Sequence, residues 1–512
     1  MTYDYLPHLH KCVPSSVSPD KLSMYTVALE GWRRGLPLKF YTTQFGNRRE
    51  INYSFEYEGK EYKFAVAKGE DVTQEAMKIA KDKYITKNYL LEKNVSVPQG
   101  KKFDKTTDDE MILNYANQLG YPVVLKPTNA NLGEGVIANI QNKGELEQAL
   151  KQVRNDLGYQ NVIVEKHIEG EEVRVYVING KVIAAMKRIP AYIIGDGKHT
   201  IKELIALKNE ERRKNPNYKG RNIIIDKELK QNIEKVGYDL NSILEEGKQL
   251  FLRNKSNISA GGESIDVTDE ITDEIKNLAV AATKAIPGLA QAGVDIIVNE
   301  KENSGAVLEI NTRPGIGGHL FPSEGKARDI PKAIIDYYFP NTKRMKNSTQ
   351  FYFDYGSVQE LLNSGLAEEV IVPPVPTADA IIKEFYIKGN LNSLSLKRRI
   401  QRLALGANLY GYLEPNSEES GKLVIAGTEE NIKIFLDNLQ KEKNIEISES
   451  DREIKEPLRA GFVIRKLSKK DKNSTHQYTK KSSKKQLTFK QKLYNKFGDS
   501  IIWKIYRKLK KG

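Results

Sequence analysis

The sequence predicts an α+β fold with mixed sheets, divided among two to four domains, and three observations carry that expectation. The chain has 512 residues, too many for a single hydrophobic core. Short apolar strands (122–126, 162–165, 173–178, 181–186, 294–298 and 306–310) recur along its first two thirds. Between them lie stripes at helical spacing: Ile275, Leu278, Ala279, Ala282 and Ile286, and Leu146, Ala149, Leu150 and Val153.

Residues 1–80, with ALEGWRRGLPLKFY and YKFAVAKGEDVT, read as a mixed α/β segment, and 81–340 as the main body. The polar run NTKRMKNS, Asn341 to Ser348, opens an expected linker region, 341–370. A second α/β unit follows over 371–464, then a tail from 465 to 512. There is no internal repeat.

Composition narrows the function classes. Apolar residues make up 39% and the mean hydropathy is −0.55, as in soluble globular proteins. No run reaches the roughly 18 apolar residues of a membrane helix. The opening MTYDYLPHLHKC lacks the apolar stretch of a secretory signal. Cys12 is the one cysteine, which excludes an intrachain disulfide and favours a cytoplasmic location. His8, His10 and Cys12 are metal-ligand types, but without a second cluster they are expected to be surface or domain-packing groups.

The net charge of +14 is carried by the tail. Arg465 to Gly512 holds 17 Lys and Arg against two acids, leaving the rest of the chain at −1. The first part of the tail is polar and low in complexity and is expected to be disordered. In the last part Phe489, Leu493, Phe497 and Ile501 recur every four residues, continued by Ile502, Ile505, Tyr506 and Leu509 among lysines, with Trp503 beside them. This predicts a basic amphipathic helix suited to an anionic membrane surface, with docking on the protein's own body as the alternative and nucleic acid behind both.

Three stretches carry chemistry. In GYPVVLKPTNANLGEGV, Lys126 closes an apolar strand before a loop containing Gly133 and Gly135. Such a loop leaves backbone N–H groups uncovered for phosphate, although alone it also fits a plain hairpin. It is not a Walker A loop, in which the lysine follows the glycines. In GVDIIV and AVLEINTRPG, Asp295 lies in one apolar strand, and Glu309 and Asn311 lie two apart in the next. Val307 is expected on the face of Glu309 and Asn311, with Ala306, Leu308 and Ile310 on the other. If these strands pair, two carboxylates and an amide oxygen converge as hard ligands for Mg²⁺. The alternative, acids on solvated strand edges, fits poorly among apolar neighbours. In IVEKHIEGEEV, Glu165 ends a strand and Glu172 begins another, like a hinge that takes a purine edge on its backbone and a ribose on a carboxylate.

In this order, from about Lys81 to Pro340, the chain resembles the ATP-grasp carboxylate–amine ligases, in particular the ATP-grasp part of cyanophycin synthetase and the glutathione synthetases. The resemblance implies an ATP-grasp fold and ATP as cofactor with Mg²⁺, or Mn²⁺ in its place. It implies that Lys83 and Lys126 reach phosphate and that the Gly133–Gly135 loop closes over it. Glu165, Lys166 and Ile168 would form the adenine hinge, with Glu172 at the ribose. Asp295, Glu309 and Asn311 would hold the metal, and Arg174, Arg188 and Arg253 would contact phosphate or substrate. The reaction implied is amide formation through an acyl phosphate, with an amino acid or peptide as substrate and cell-envelope or peptide-polymer synthesis as a setting. A kinase acting without ligation and a noncatalytic nucleotide-binding scaffold are the alternatives; oligomerisation is left open. Neither the Mur-ligase-like domain of cyanophycin synthetase nor a glutamate–cysteine ligase domain is expected in this chain.

The unit over 371–464 resembles acylphosphatase, a βαββαβ (ferredoxin-like) module. Leu396, Ile400, Leu403 and Ala404 make one helix face, and Thr428 is placed to cap a second helix that opens with Glu429 and Glu430. Aligned on Gly389 and Gly411, the family's catalytic arginine and asparagine positions hold Lys397 and Pro415, with Arg398 and Asn416 one residue away, and the loop NLNSLSLK lacks glycine. A degenerate, noncatalytic module is expected.

Overall fold

A computed structural model describes residues 5–128, 134–442 and 444–466. Gly133 and the tail from 467, including its expected amphipathic helix, lie outside the described residues.

Residues 38–69 form an antiparallel sheet, Leu38–Phe45, Arg48–Tyr57, Lys60–Ala65 and Lys68–Gly69. Against it lies the helix Leu22–Arg33, every residue of which is buried. A helix buried on all sides must satisfy its charges internally. Arg33 donates to the carbonyls of Phe351, His8 and Thr349, and Glu30 takes Arg34 at 2.8 Å and Arg344 at 2.7 Å.

The expected linker, 341–370, is not a linker. Phe351, Phe353, Tyr355 and Leu362 are buried in the same core as the helix Leu22–Arg33. The strand Glu369–Ile371 then pairs antiparallel with Leu38–Phe45 as the outer strand of that sheet. The polarity of NTKRMKNS reflects a surface crossing, while the aromatic residues after it complete the core. The expected boundary at 371 therefore cuts through one packed unit, and that at 80 falls inside the helix Gln74–Lys81, whose Ala76 and Ile79 pack with the main body.

The main body has two further antiparallel sheets. The smaller runs Gly100–Phe103, Val162–Lys166, Val123–Pro127, Ile137–Ile140 in spatial order. Val123, Leu125, Val162 and Val164 pack on the helices Asp109–Leu119 and Lys143–Leu150. By strand alternation Lys126 and Glu165 fall on the opposite face. The larger sheet runs Glu263–Asp266, Lys181–Ile189, Glu171–Ile178, Gln291–Asn299, Ser304–Asn311. Val173, Val175, Val177, Val294 and Ile296 pack with Ile275, Ala279 and Ala282 of the helix Asp273–Ala285.

Alternation in the last strand is broken. The register shifts after Asp295↔Glu309, so that Ile296 faces Val307 and Leu308 is an extra residue. Val307 and Ile310, three apart, consequently enter the same core. The expected placement of Val307 on the Glu309 face is corrected: a β-bulge flips everything before it by one position.

Residues 191–252 form a small core around the paired strands Tyr192–Ile194 and Gln249–Phe251 and the helices Ile201–Lys214 and Lys227–Lys235. The last unit is β-α-β-β-α-β in chain order. Its strands lie as Glu446–Ser450, Ile381–Lys388, Ser420–Gly427, Tyr410–Pro415, with Phe462–Ile464 added parallel to the last. Ile400 and Ala404 are buried in its core with Leu396 and Leu403 partly covered, and Thr428 accepts from the Asn431 amide to cap the second helix. Among the described residues no helix is long and apolar enough to cross a membrane.

Candidate functional site

A cavity opens between the two sheets of the main body, lined among others by Lys83, Lys87, Lys126, Glu165, Leu308 and Glu309. One helix, Lys83–Glu92, connects its walls. Its cap is Asp82, whose carboxylate accepts from the amides of Tyr84 at 2.8 Å and Ile85 at 3.1 Å. Lys83 and Lys87 are four apart and share one helix face. Lys83 Nζ lies 2.9 Å from Glu309 Oε2 on the larger sheet, and Lys87 Nζ lies 2.9 Å from Glu165 Oε1 on the smaller.

Glu165 is only 4% exposed, and its other oxygen meets Lys126 Nζ at 2.5 Å. One buried carboxylate thus bridges two ammonium groups. Gly100 makes this packing feasible: a Cβ there would lie 2.5 Å from Glu165 Cγ and 2.4 Å from the Val164 carbonyl. Lys166, the next residue, points the other way, donating to the carbonyls of Gly120 and Tyr121 at 2.9 and 3.1 Å. The amides of Lys166 and His167 bond the carbonyls of Gln99 and Pro122. The amide of Ile168 has no backbone acceptor among the described residues. Gly135 has φ +67°, and a Cβ there would press Pro127 at 2.8 Å, so glycine is required where the chain leaves the loop.

On the larger sheet the register sets Asp295 beside both Arg174 and Glu309, Gly293 beside Asn311, and Ile297 beside Glu172. Arg174 grips Asp295 in a bidentate pair, both contacts 2.7 Å. Asn311 donates to the same carboxylate at 3.0 Å. Arg188 pairs with Glu172 and stands 3.8 Å from Asp295. Burial opposes the charge on Asp295, but the Arg174 and Arg188 guanidiniums and the Asn311 amide prevail and hold its pKa below the usual carboxylate range.

Arg253 is not brought to this cluster. Its guanidinium is held by Asp226 at 2.6 Å, Glu228 at 2.8 Å and the Ile224 carbonyl at 3.1 Å. Asp226 caps the helix Lys227–Lys235, so acids of that segment hold the arginine.

The donor set can be tested against a divalent cation. Asp295, Glu309 and Asn311 offer hard oxygens on neighbouring strands. Asp295 is already engaged by Arg174, whereas Glu309 Oε1 and Asn311 Oδ1 form no hydrogen bond among the described residues. Glu309 is also the more accessible, its side chain 40% exposed against 8% for Asp295. The residues fit such an ion, with Glu309 and Asn311 the readier donors. At the N-terminus, His8 accepts from Arg344 at 3.1 Å and Cys12 is buried; both are packing groups.

Two residues escaped the sequence reading. Lys87 could have been found, since it follows Lys83 by one helical turn. His319 could not: it is 1% exposed, with neither ring nitrogen hydrogen-bonded among the described residues. Only the tertiary fold sets it against Tyr176, ring centroids 6.2 Å apart.

Comparison with known proteins places this site in context. Cyanophycin synthetase of Crocosphaera subtropica is 35% identical over 272 residues, 52% of this chain and 31% of that protein. The glutathione biosynthesis bifunctional protein GshAB of Pasteurella multocida is 32% identical over 275 residues, 51% of this chain and 36% of that one. The chain therefore spans about a third of the length of these curated relatives. The crystal structure of the bifunctional glutathione synthetase from Pasteurella multocida superposes with a TM-score of 0.46 at 29% identity, covering 56% of this chain and 40% of that one. The stretch 198–245, which supplies Asp226 and Glu228, separates two matched blocks. Those blocks, residues 80–197 and 246–337, which contain the three lysines and the acidic hairpin, match the RimK-like ATP-grasp domain.

Proposed function

We propose that this chain is an ATP-dependent carboxylate–amine ligase that forms an amide through an acyl phosphate and releases ADP and phosphate. The observation that carries this reading is the convergence of Lys83, Lys87 and Lys126 with Glu165 and Glu309 on one cavity between two sheets. The match to the RimK-like ATP-grasp domain and the similarity to cyanophycin synthetase and GshAB support it.

A carboxylate is a poor acyl donor because its oxygen leaves badly. Attack of the substrate carboxylate oxygen on the γ-phosphorus would break the bond to ADP. An amine would then attack the acyl carbon, lose a proton and expel phosphate. Little covalent work falls to the protein; its task is positioning and charge neutralisation. Lys83 and Lys126 would hold phosphate oxygens, and Gly133 and Gly135 belong to the loop that would keep water out. Glu165, Lys166 and Ile168 would seat the base, the Ile168 amide supplying a donor, with Glu172 at the ribose. Asp295, Glu309 and Asn311 would hold Mg²⁺, or Mn²⁺, which neutralises phosphate charge when bound. Arg174 and Arg188 would face the transferring group. Arg253 would join them only after leaving Asp226 and Glu228.

The substrate proposed is an amino acid or peptide, in the cytoplasm, with the basic tail making peripheral contact with anionic lipid. The sheet order of the last unit supports a ferredoxin-like reading, and Pro415 in place of the expected asparagine supports a noncatalytic one.

The test is a screen for ADP release over amino acids singly and in pairs, with mass analysis of the product. An amide product with one ADP per bond is expected. ADP release with a phosphorylated product and no need for an amine would replace ligase by kinase. Glu309→Gln and Lys126→Ala should abolish turnover with the fold retained; a folded, active variant would remove these residues from the reaction.

A further inference from the structure

Among the described residues each lysine lining the cavity is paired with a carboxylate, as are two arginines of the larger sheet. Lys83 is paired with Glu309, Lys87 and Lys126 with Glu165, Arg174 with Asp295 and Arg188 with Glu172. A polyphosphate competes with the carboxylate for the charge of each lysine. For Lys126 the obstacle is severe. Its partner Glu165 is 4% exposed, and a buried carboxylate is costly to leave without compensation. Glu165, however, has two oxygens on two different lysines, and Lys87 approaches from the helix rather than from the strand of Lys126. Lys83 cannot substitute, being engaged at 2.9 Å with Glu309 across the cavity.

We infer that Lys87 is a positioning residue for the nucleotide: it retains Glu165 as a neutral pair and thereby releases Lys126 to bind phosphate. The inference rests on the nucleotide site proposed above but assigns to Lys87 a role distinct from direct phosphate contact. Its signature is the sign of a coupling. Without Lys87, Glu165 has Lys126 as its sole counter-ion and holds it, so affinity falls. Once the charge of Glu165 is removed, Lys126 is free with or without Lys87, so loss of Lys87 no longer lowers affinity. A lysine touching phosphate directly would give no such recovery, and one that merely holds the fold would move the thermal transition together with the affinity.

The experiment is calorimetric titration of the intact chain with magnesium–ATP, and with ADP in the absence of divalent metal, for wild type, Lys87→Met, Glu165→Gln and Lys87→Met/Glu165→Gln. Lys87→Met should weaken both nucleotides at least tenfold in the wild-type background and by much less in the Glu165→Gln background, whatever Glu165→Gln itself costs at the base. Should Lys87→Met not fold, as judged by its thermal transition, Lys87→Gln keeps a donor to Glu165 without the charge and is read by the same criterion. Unchanged affinity in Lys87→Met, or an equal loss in the Glu165→Gln background, overturns the role of Lys87. A wild-type chain that binds neither nucleotide overturns the proposed function itself, and this inference with it.

Discussion

Arg174 shows how one side chain can belong to both a fold and a proposed site. Both its contacts to Asp295 are 2.7 Å, and the two side chains are 15% and 8% exposed. Removing one member of a buried pair leaves the other charge uncompensated, at a cost of about 3–5 kcal/mol. Arg174→Met is therefore expected to destabilise the chain by about 3 kcal/mol, measured by urea denaturation at pH 7. Adding Asp295→Leu should recover much of that loss, because no buried carboxylate then remains unpaired. A single variant as stable as wild type would mean that the pair is open to water. The pairing also separates the arginines: Arg188, on exposed Glu172, can be recruited by a ligand more easily than Arg174.

Among the elements, the helix Lys83–Glu92 organises the site, and Asp82 fixes where it starts. Loss of an N-cap carboxylate costs about 1 kcal/mol. Here the first turn also carries Lys83, so Asp82→Ala should lower stability by about 1 kcal/mol and raise the KM for ATP together. Asp82→Ser, which restores a cap, should return both; recovery of stability without recovery of KM would separate the cap from the site. Lys83 was legible only through the family resemblance, whereas the strand that ends near Glu165 and the pairing of Asp295 with Glu309 were legible because alternation maps directly onto strands. The bulge at Leu308 was not legible. It depends on register against a neighbouring strand, and no residue in AVLEIN announces it. The linker was misread for a related reason: NTKRMKNS is polar, but the partner of Phe351, Phe353 and Tyr355 lies more than 300 residues earlier, in the helix Leu22–Arg33. Arg253 failed differently, since its acids come from a segment, 198–245, outside the two blocks matched by the ATP-grasp domain.

For the whole molecule, these long-range closures leave His8 partly buried and His319 buried, which gives stability a definite dependence on pH. Burial pushes the His8 pKa down to about 4, helped by the neighbouring Arg344 and Arg33. Asp329 stands 3.4 Å from its ring but is already taken by Arg344 at 2.6 Å, so it does not restore the charge. Burial likewise lowers His319 to about 3, with Arg174 adding to it against Asp266 and Asp295. An unfolded chain protonates both rings near pH 6.5. Below that pH the unfolded state therefore binds more protons than the folded one, and stability falls as pH falls, until the folded rings titrate near 4 and 3. Each histidine contributes up to about 1.4 kcal/mol per pH unit across that window. Exposed His199 runs the opposite way: its hydrogen bond to Asp196 raises its pKa, and that stability is lost as pH rises through the folded value. Denaturant midpoints measured at pH 7, 6 and 5 should decline, and more steeply below 6.5. His8→Gln and His319→Gln should each remove one proton's share of that slope. A profile flat from pH 6.5 to 5, or a slope unmoved by either substitution, would show that these rings are not held neutral in the folded chain.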